Sequence, residues 1–101
     1  MVINMQEVFL VKEENKNETE DLLRKDDLVS RQSITVRLAS SMGFEKEKGY
    51  FIIINGSEES IKKAEELIKD SAEKYADREK VLERLKEEEE NASEGLGNIL
   101  G

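Results

Sequence analysis

The run from Tyr50 to Lys69 constrains this chain more than any other. Five apolar residues, Tyr50 to Ile54, are closed by Asn55 and stand between Gly49 and Gly56. A short, unbroken apolar run between glycines suits a strand covered on both faces. Ser57 then supplies a hydroxyl where a helix N-cap belongs, and Glu58 and Glu59 place acids in the first turn. Ile61, Ala64, Leu67 and Ile68 recur at helical spacing on one face. The stretch predicts strand, turn and amphipathic helix, the closing half of a small α+β domain.

Other elements are assigned around this anchor. Met5 to Lys12 alternates as a strand with Val8, Phe9, Leu10 and Val11 at its centre. Asn17 and Glu20 have capping-box spacing, and Leu22, Leu23, Leu28 and Val29 give a short helix. Residues 31–42 carry two patterns. Ile34, Val36 and Leu38 alternate as in a strand, while Ile34, Leu38 and Met42 form a helical stripe. Gly43 followed by Phe44 is a helix-stopping signal and favours the helix; the β-branched Ile34, Thr35 and Val36 favour the strand. Phe44 to Lys48 reads as a short strand. The expected fold is a three-stranded, single-layer sheet in the order β-α-α-β-β-α, with helices packed on one face.

The last helix is long, with Ile61, Ala64, Ile68, Ser71, Tyr75, Leu82 and Leu85 on a seam that Ser71 and Arg78 interrupt. Residues 57–74 are expected to dock on the sheet, and Asp77 to re-cap a second segment. The chain divides accordingly into a core domain over 1–75, a charged helical extension over 76–90 and a flexible tail over 91–101. Glu87 to Glu90 set four negative charges against the negative end of the helix dipole, an arrangement that frays.

Composition narrows the chemistry. One modest core fits in 101 residues, and with 40% of side chains charged, part of the chain must lie outside it. The Glu- and Lys-rich composition resembles that of proteins from hot environments. The absence of cysteine and histidine excludes disulfides, thiolate and imidazole catalysis and ordinary structural zinc. No nucleophile elbow or phosphate-cradling glycine loop is present, and the carboxylates sit mostly on helix faces. The chain is therefore read as a non-enzyme without cofactor or metal. The first ten residues do not have the pattern of a signal peptide, and no window of about 20 apolar residues could span a bilayer; a cytoplasmic location is the expectation.

Charge is distributed unevenly. The net value is −8, yet Arg31, Arg37, Lys46 and Lys48 make 31–56 the one net-basic stretch. These four are candidates for contacting nucleic acid, which the overall charge disfavours, or they are solvated residues balancing acidic neighbours. Val81, Leu82 and Leu85 form an apolar stripe on the extension that either binds a protein partner or folds back on its own domain. Leu96, Ile99 and Leu100 follow an acidic stretch and suit a short docking motif.

The phrase Ile52-Ile53-Ile54-Asn55-Gly56-Ser57-Glu58-Glu59-Ser60-Ile61, leading into Ala64 and Leu67-Ile68, resembles the closing half of a type I KH domain. Small ACT-like regulatory domains end in a similar strand-turn-helix. The KH resemblance implies RNA binding through a Gly-x-x-Gly loop between two helices. Arg24-Lys25-Asp26-Asp27 stands there instead, with no glycine and two acids, so the activity is not carried over. The leading expectation is a protein-interaction or adaptor module using the acidic C-terminal helix and tail. A degenerate KH-like RNA or nucleotide binder and an ACT-like small-ligand sensor are the alternatives.

Overall fold

The computed structural model describes residues 4–88. Strand β1 (Asn4–Val11) leads into helix α1 (Lys16–Lys25), then β2 (Ser33–Leu38), β3 (Tyr50–Ser57), helix α2 (Glu58–Ile68) and β4 (Ala72–Lys74). A third helix, α3, follows over 78–88. The four strands form one antiparallel sheet in the order β2-β3-β1-β4. Consequently β1 and β2 run parallel with β3 between them, and β3 and β4 run parallel with β1 between them. These are two interleaved split β-α-β units, the ferredoxin-like arrangement.

The apolar run behaves as its composition dictates. β3 is a central strand, with Ile52 and Ile54 fully buried on one face and Phe51 and Ile53 at most 2% exposed on the other. The Ser57 hydroxyl accepts the Ser60 N–H at 3.2 Å and starts α2. Ile61, Ala64 and Ile68 of α2 and Leu23 of α1 cover the front face, packing on Phe9, Val11, Ile52 and Ile54. Each large buried side chain contributes roughly 1.5–3 kcal/mol relative to exposure.

Four features differ from the sequence reading. The first is β2. Residues 33–38 pair along their whole length with β3, because a central strand needs a partner on each side and Ile34, Thr35 and Val36 fit a pleated surface. The glycine stop itself is real but local. Residues Ala39–Met42 make one helical turn, Gly43 takes a left-handed φ of 88°, and the Gly43 and Phe44 N–H groups bond the Ser40 and Ala39 carbonyls.

The second difference is at Phe44 to Lys48, which form a turn rather than a strand. Phe44 is held instead by edge-to-face contacts, its ring 5.1 Å from Phe51 and 6.1 Å from Tyr75. Gly49 ends that turn at φ 116°, and a Cβ there would lie 2.2 Å from the Val11 carbonyl oxygen, so only glycine fits.

Third, α2 stops at Ile68, and Ala72–Lys74 pair with Val11 to Phe9 as a fourth strand. The apolar stripe runs out at Ser71, whose hydroxyl instead accepts from Thr19 at 2.9 Å, and the edge of β1 is better satisfied by a strand. The start of α1 also shifts. Lys16 begins α1 after Asn15, and Glu20 pairs with Lys16 at 2.9 Å rather than capping Asn17.

The fourth difference is that both faces of the sheet are covered. Tyr75 carries the chain around the β1 edge, and α3 crosses the back face. Val81 (0% exposed) and Leu85 (7%) pack there with Val8, Phe51, Ile53, Ala39 and Met42. Of the two readings of the Val81–Leu82–Leu85 stripe, the helix folds back on its own sheet. An ion cluster pins the crossing. Arg78 Nη1 lies 3.1 Å from the buried Glu7 carboxylate, and Lys74 Nζ reaches Glu65 at 2.6 Å and Glu7 at 3.9 Å.

Candidate functional site

Strand register builds the exposed end of the back face. Gln6, Asn55 and Ser33 lie in one cross-strand row, Val8, Ile53 and Thr35 in the next, and Leu10, Phe51 and Arg37 in the third. Side chains directly opposite across a sheet sit on the same face. The back face thus grades from a polar rim to an apolar floor beneath α3. Between the rim and α3 runs a groove of about 420 Å³, lined by Gln6, Ser33, Thr35 and Asn55 on one side and by Leu82, Glu83, Leu85 and Lys86 on the other. Carboxamides and hydroxyls face it from the sheet, while Glu83 and Lys86 bring one charge of each sign.

The outer edge of β2 adjoins this groove. The Ala39 N–H bonds the Gly49 carbonyl at 3.0 Å, continuing the β2–β3 register by one residue. Antiparallel pairing alternates, so Ser33, Thr35 and Arg37 turn their backbone groups toward β3, and Ile34, Val36 and Leu38 turn theirs outward. Two of the three outward carbonyls are engaged within the chain. Arg37 Nη1 donates to the Val36 carbonyl at 3.2 Å, and the Ser41 hydroxyl donates to that of Leu38 at 2.7 Å. Among the described residues the edge is left rich in donors. Its front side carries Ile34 and Val36, half-buried against the core, and Leu38, 39% exposed. Charged side chains on an edge strand discourage indiscriminate pairing, and Arg37 is the charged residue of β2.

The residues singled out by sequence disperse. Val81 and Leu85 are buried, Leu82 is half-buried at the groove, and Leu96, Ile99 and Leu100 lie outside the described residues. Arg31 and Arg37 stand at opposite ends of β2, roughly 15–20 Å apart at the rise of an extended chain. The Arg37 guanidinium lies 4.0 Å from the Glu88 carboxylate at the end of α3. Lys46 is exposed on the turn. Lys48 lies on the far side, where Lys12 and Lys69 share a hollow of about 370 Å³ with Asp70 and Glu73. The four cations do not converge on one surface. The described part of α3 is also charge-balanced, with four acids and four bases; the acidic excess begins only at its end.

Sequence reasoning did not single out Gln6, Thr35 and Asn55 as site residues. Their signal was the alternation of Ser33, Thr35 and Arg37 with Ile34, Val36 and Leu38, which becomes legible once 33–38 is assigned as a strand.

Two groups have displaced proton affinities. Burial, then the nearby Glu47 carboxylate to which its hydroxyl donates at 3.3 Å, raises Tyr75 above the ordinary tyrosine value. The Glu65 hydrogen bond chiefly raises Lys74. Both lie beside the crossing from β4 to α3, where they hold structure together. Among the described residues, no cluster of three or more carboxylates is placed to hold a metal ion, and no helix is long and apolar enough to cross a membrane. Comparison with protein-family models, curated proteins and solved structures finds no match to this chain.

Proposed function

We propose that this chain is a small, non-enzymatic protein-interaction module that takes an extended segment of a protein partner onto the outer edge of β2, which no strand among the described residues pairs with. The observation that carries this reading is the row of outward N–H groups at Ile34, Val36 and Leu38, running beside a half-exposed apolar stripe. Strand addition supplies affinity through main-chain bonds and specificity through alternate side chains. On this edge the front-facing positions of the incoming segment are apolar, and those facing back lie beside Ser33, Thr35 and the groove. Carbonyls are what the segment must offer, since the edge is donor-rich. The acidic end of α3, at Glu88, flanks the same edge.

A selection from a displayed peptide library tests this reading. Enriched peptides are expected to alternate apolar residues and to lose at least about tenfold in affinity on Val36→Pro, about 1.4 kcal/mol. That substitution removes an outward N–H and leaves the β2–β3 ladder intact. Leu38→Lys is the companion variant, acting at a partly exposed side chain. Binders indifferent to both, or no enrichment, would overturn the proposal.

One observation favours a second reading, a small-ligand sensor. The groove volume of about 420 Å³ falls in the range of small-molecule sites. A thermal-shift screen of amino acids and nucleotides, repeated on Asn55→Ala, separates this from the first.

A further inference from the structure

The groove between the sheet and α3 is lined by polar side chains that are not engaged with one another. Among the described residues, the side chains of Gln6, Ser33, Thr35, Asn55, Glu83 and Lys86 make no hydrogen bond or ion pair within the chain. Two of these cases are informative. Gln6 and Asn55 are cross-strand partners, and each carboxamide carries both a donor and an acceptor, yet the two are not bonded to each other. Glu83 and Lys86 stand three positions apart on α3, a spacing at which opposite charges meet. Arg84 and Glu87 close at that spacing, at 3.5 Å. Glu83 and Lys86 both line the groove and do not close.

The groove therefore has three zones. The helix flank carries one charge of each sign, held apart. The floor is apolar, with Ile53 2% exposed and Leu82 and Leu85 beside it. The far rim, formed by Gln6, Asn55 and Ser33, offers neutral donors and acceptors about 5 Å apart from strand to strand. A ligand of net charge gains one partner on the helix flank and is repelled by the other, whereas a zwitterion gains both.

We propose that this groove binds a free α-amino acid with a short aliphatic stem and a neutral amide end, of the glutamine kind. The inference rests on the small-ligand reading of the groove and names the ligand's chemistry. The ligand's ammonium meets Glu83 and its carboxylate meets Lys86; both groups hang on one carbon, so the ligand bridges the gap that the two side chains leave open. Its methylenes lie over Ile53 and against Leu82. Its terminal carboxamide reaches the rim, donating to one of Gln6 and Asn55 and accepting from the other, with the Thr35 hydroxyl alongside. Size agrees, since about 420 Å³ holds a ligand of about ten non-hydrogen atoms and a few waters. The charges are exposed, so affinity is modest, with a Kd of roughly 1 mM.

NMR titration of the isotope-labelled full chain with L-glutamine tests the assignment. Saturable shifts are expected at the Thr35, Asn55, Glu83 and Lys86 amides, and none around Lys12, Lys48 and Lys69 on the far side. N-acetylglutamine lacks the ammonium and glutaminamide lacks the carboxylate; each should bind at least about fivefold more weakly. Leucine leaves the rim carboxamides to water and should bind about threefold more weakly. Lys86→Glu, at an exposed position, should weaken glutamine at least about fivefold and leave the rest of the spectrum in place. Glutamine shifts that do not saturate, that fall outside the groove, or that N-acetylglutamine reproduces at equal affinity would overturn the proposal. If a nucleotide moves the groove amides and glutamine does not, the small-ligand reading survives and this assignment falls.

Discussion

Replacing Leu85 by alanine tests whether α3 belongs to the core. Leu85 is 7% exposed and packs in the back-face cluster with Val81, Phe51 and Ile53. The substitution removes three carbons, about 2.4 kcal/mol at 0.8 per buried methylene. A cavity term adds to this, but Leu85 borders the open groove, where neighbours and water can relax into the space. The expected loss is therefore about 2–3 kcal/mol. Helix propensity barely enters, since alanine and leucine differ by only a few tenths of a kcal/mol. Urea unfolding followed by far-ultraviolet circular dichroism measures it. With a slope near 1 kcal/mol per molar, as suits a chain of this size, the midpoint falls by about 2–3 M with the slope unchanged. Glu83→Ala, on the exposed side of the helix, is the control and should stay within about 0.5 kcal/mol. A loss below about 0.5 kcal/mol for Leu85→Ala would mean that α3 stands off the sheet, and the groove would go with it.

Other perturbations probe the remaining contacts. Gly49→Ala sets a Cβ 2.2 Å from the Val11 carbonyl oxygen at a φ of 116°, so a loss of at least about 2 kcal/mol is expected in the same unfolding assay. Ser57→Ala removes the cap of α2 and should cost about 1 kcal/mol. Glu7→Gln weakens the contact to Arg78 and Lys74; because both partners are about half exposed, the expected loss is only about 1 kcal/mol. At alkaline pH, Tyr75 and Lys74 hold their protons more tightly folded than unfolded. Their contribution is complete below the ordinary values of 10.0 and 10.5 and is lost as pH rises through the raised folded ones. Stability should accordingly fall above about pH 10, and ultraviolet titration of a Tyr50→Phe variant should show Tyr75 ionising above the ordinary value of 10.0; ionisation at or below that value would contradict the desolvation of Tyr75 beside Glu47.

Much of the fold was legible wherever the signal was local. The Tyr50–Ser57 strand declares itself because a strand buried on both faces can be apolar at every position, and Ser57 declares the helix start because a hydroxyl must meet the Ser60 N–H three residues on. Gly43 announced a real turn end, since φ 88° selects glycine. The error lay in extending that stop upstream. Whether Ile34-Thr35-Val36 is strand or helix depends on who stands beside it, and its partners in β3 stand sixteen to twenty residues further along the chain. Ala72–Lys74 carries no strand pattern at all; three residues became a strand because the β1 edge required hydrogen-bond partners.

The sequence by itself determined an α+β chain with a doubly buried central strand, an N-capped amphipathic helix packed on it and an apolar stripe at Val81, Leu82 and Leu85. Tertiary structure alone decided that this stripe closes the back of the sheet, that Gln6, Asn55 and Ser33 align in one row, and that, among the described residues, no strand pairs with the outer edge of β2. The reason is physical. Periodicity and caps are set by bonds between residues a few positions apart, whereas covering a sheet face and pairing its edges are settled by whichever distant segment satisfies the remaining surface and hydrogen bonds.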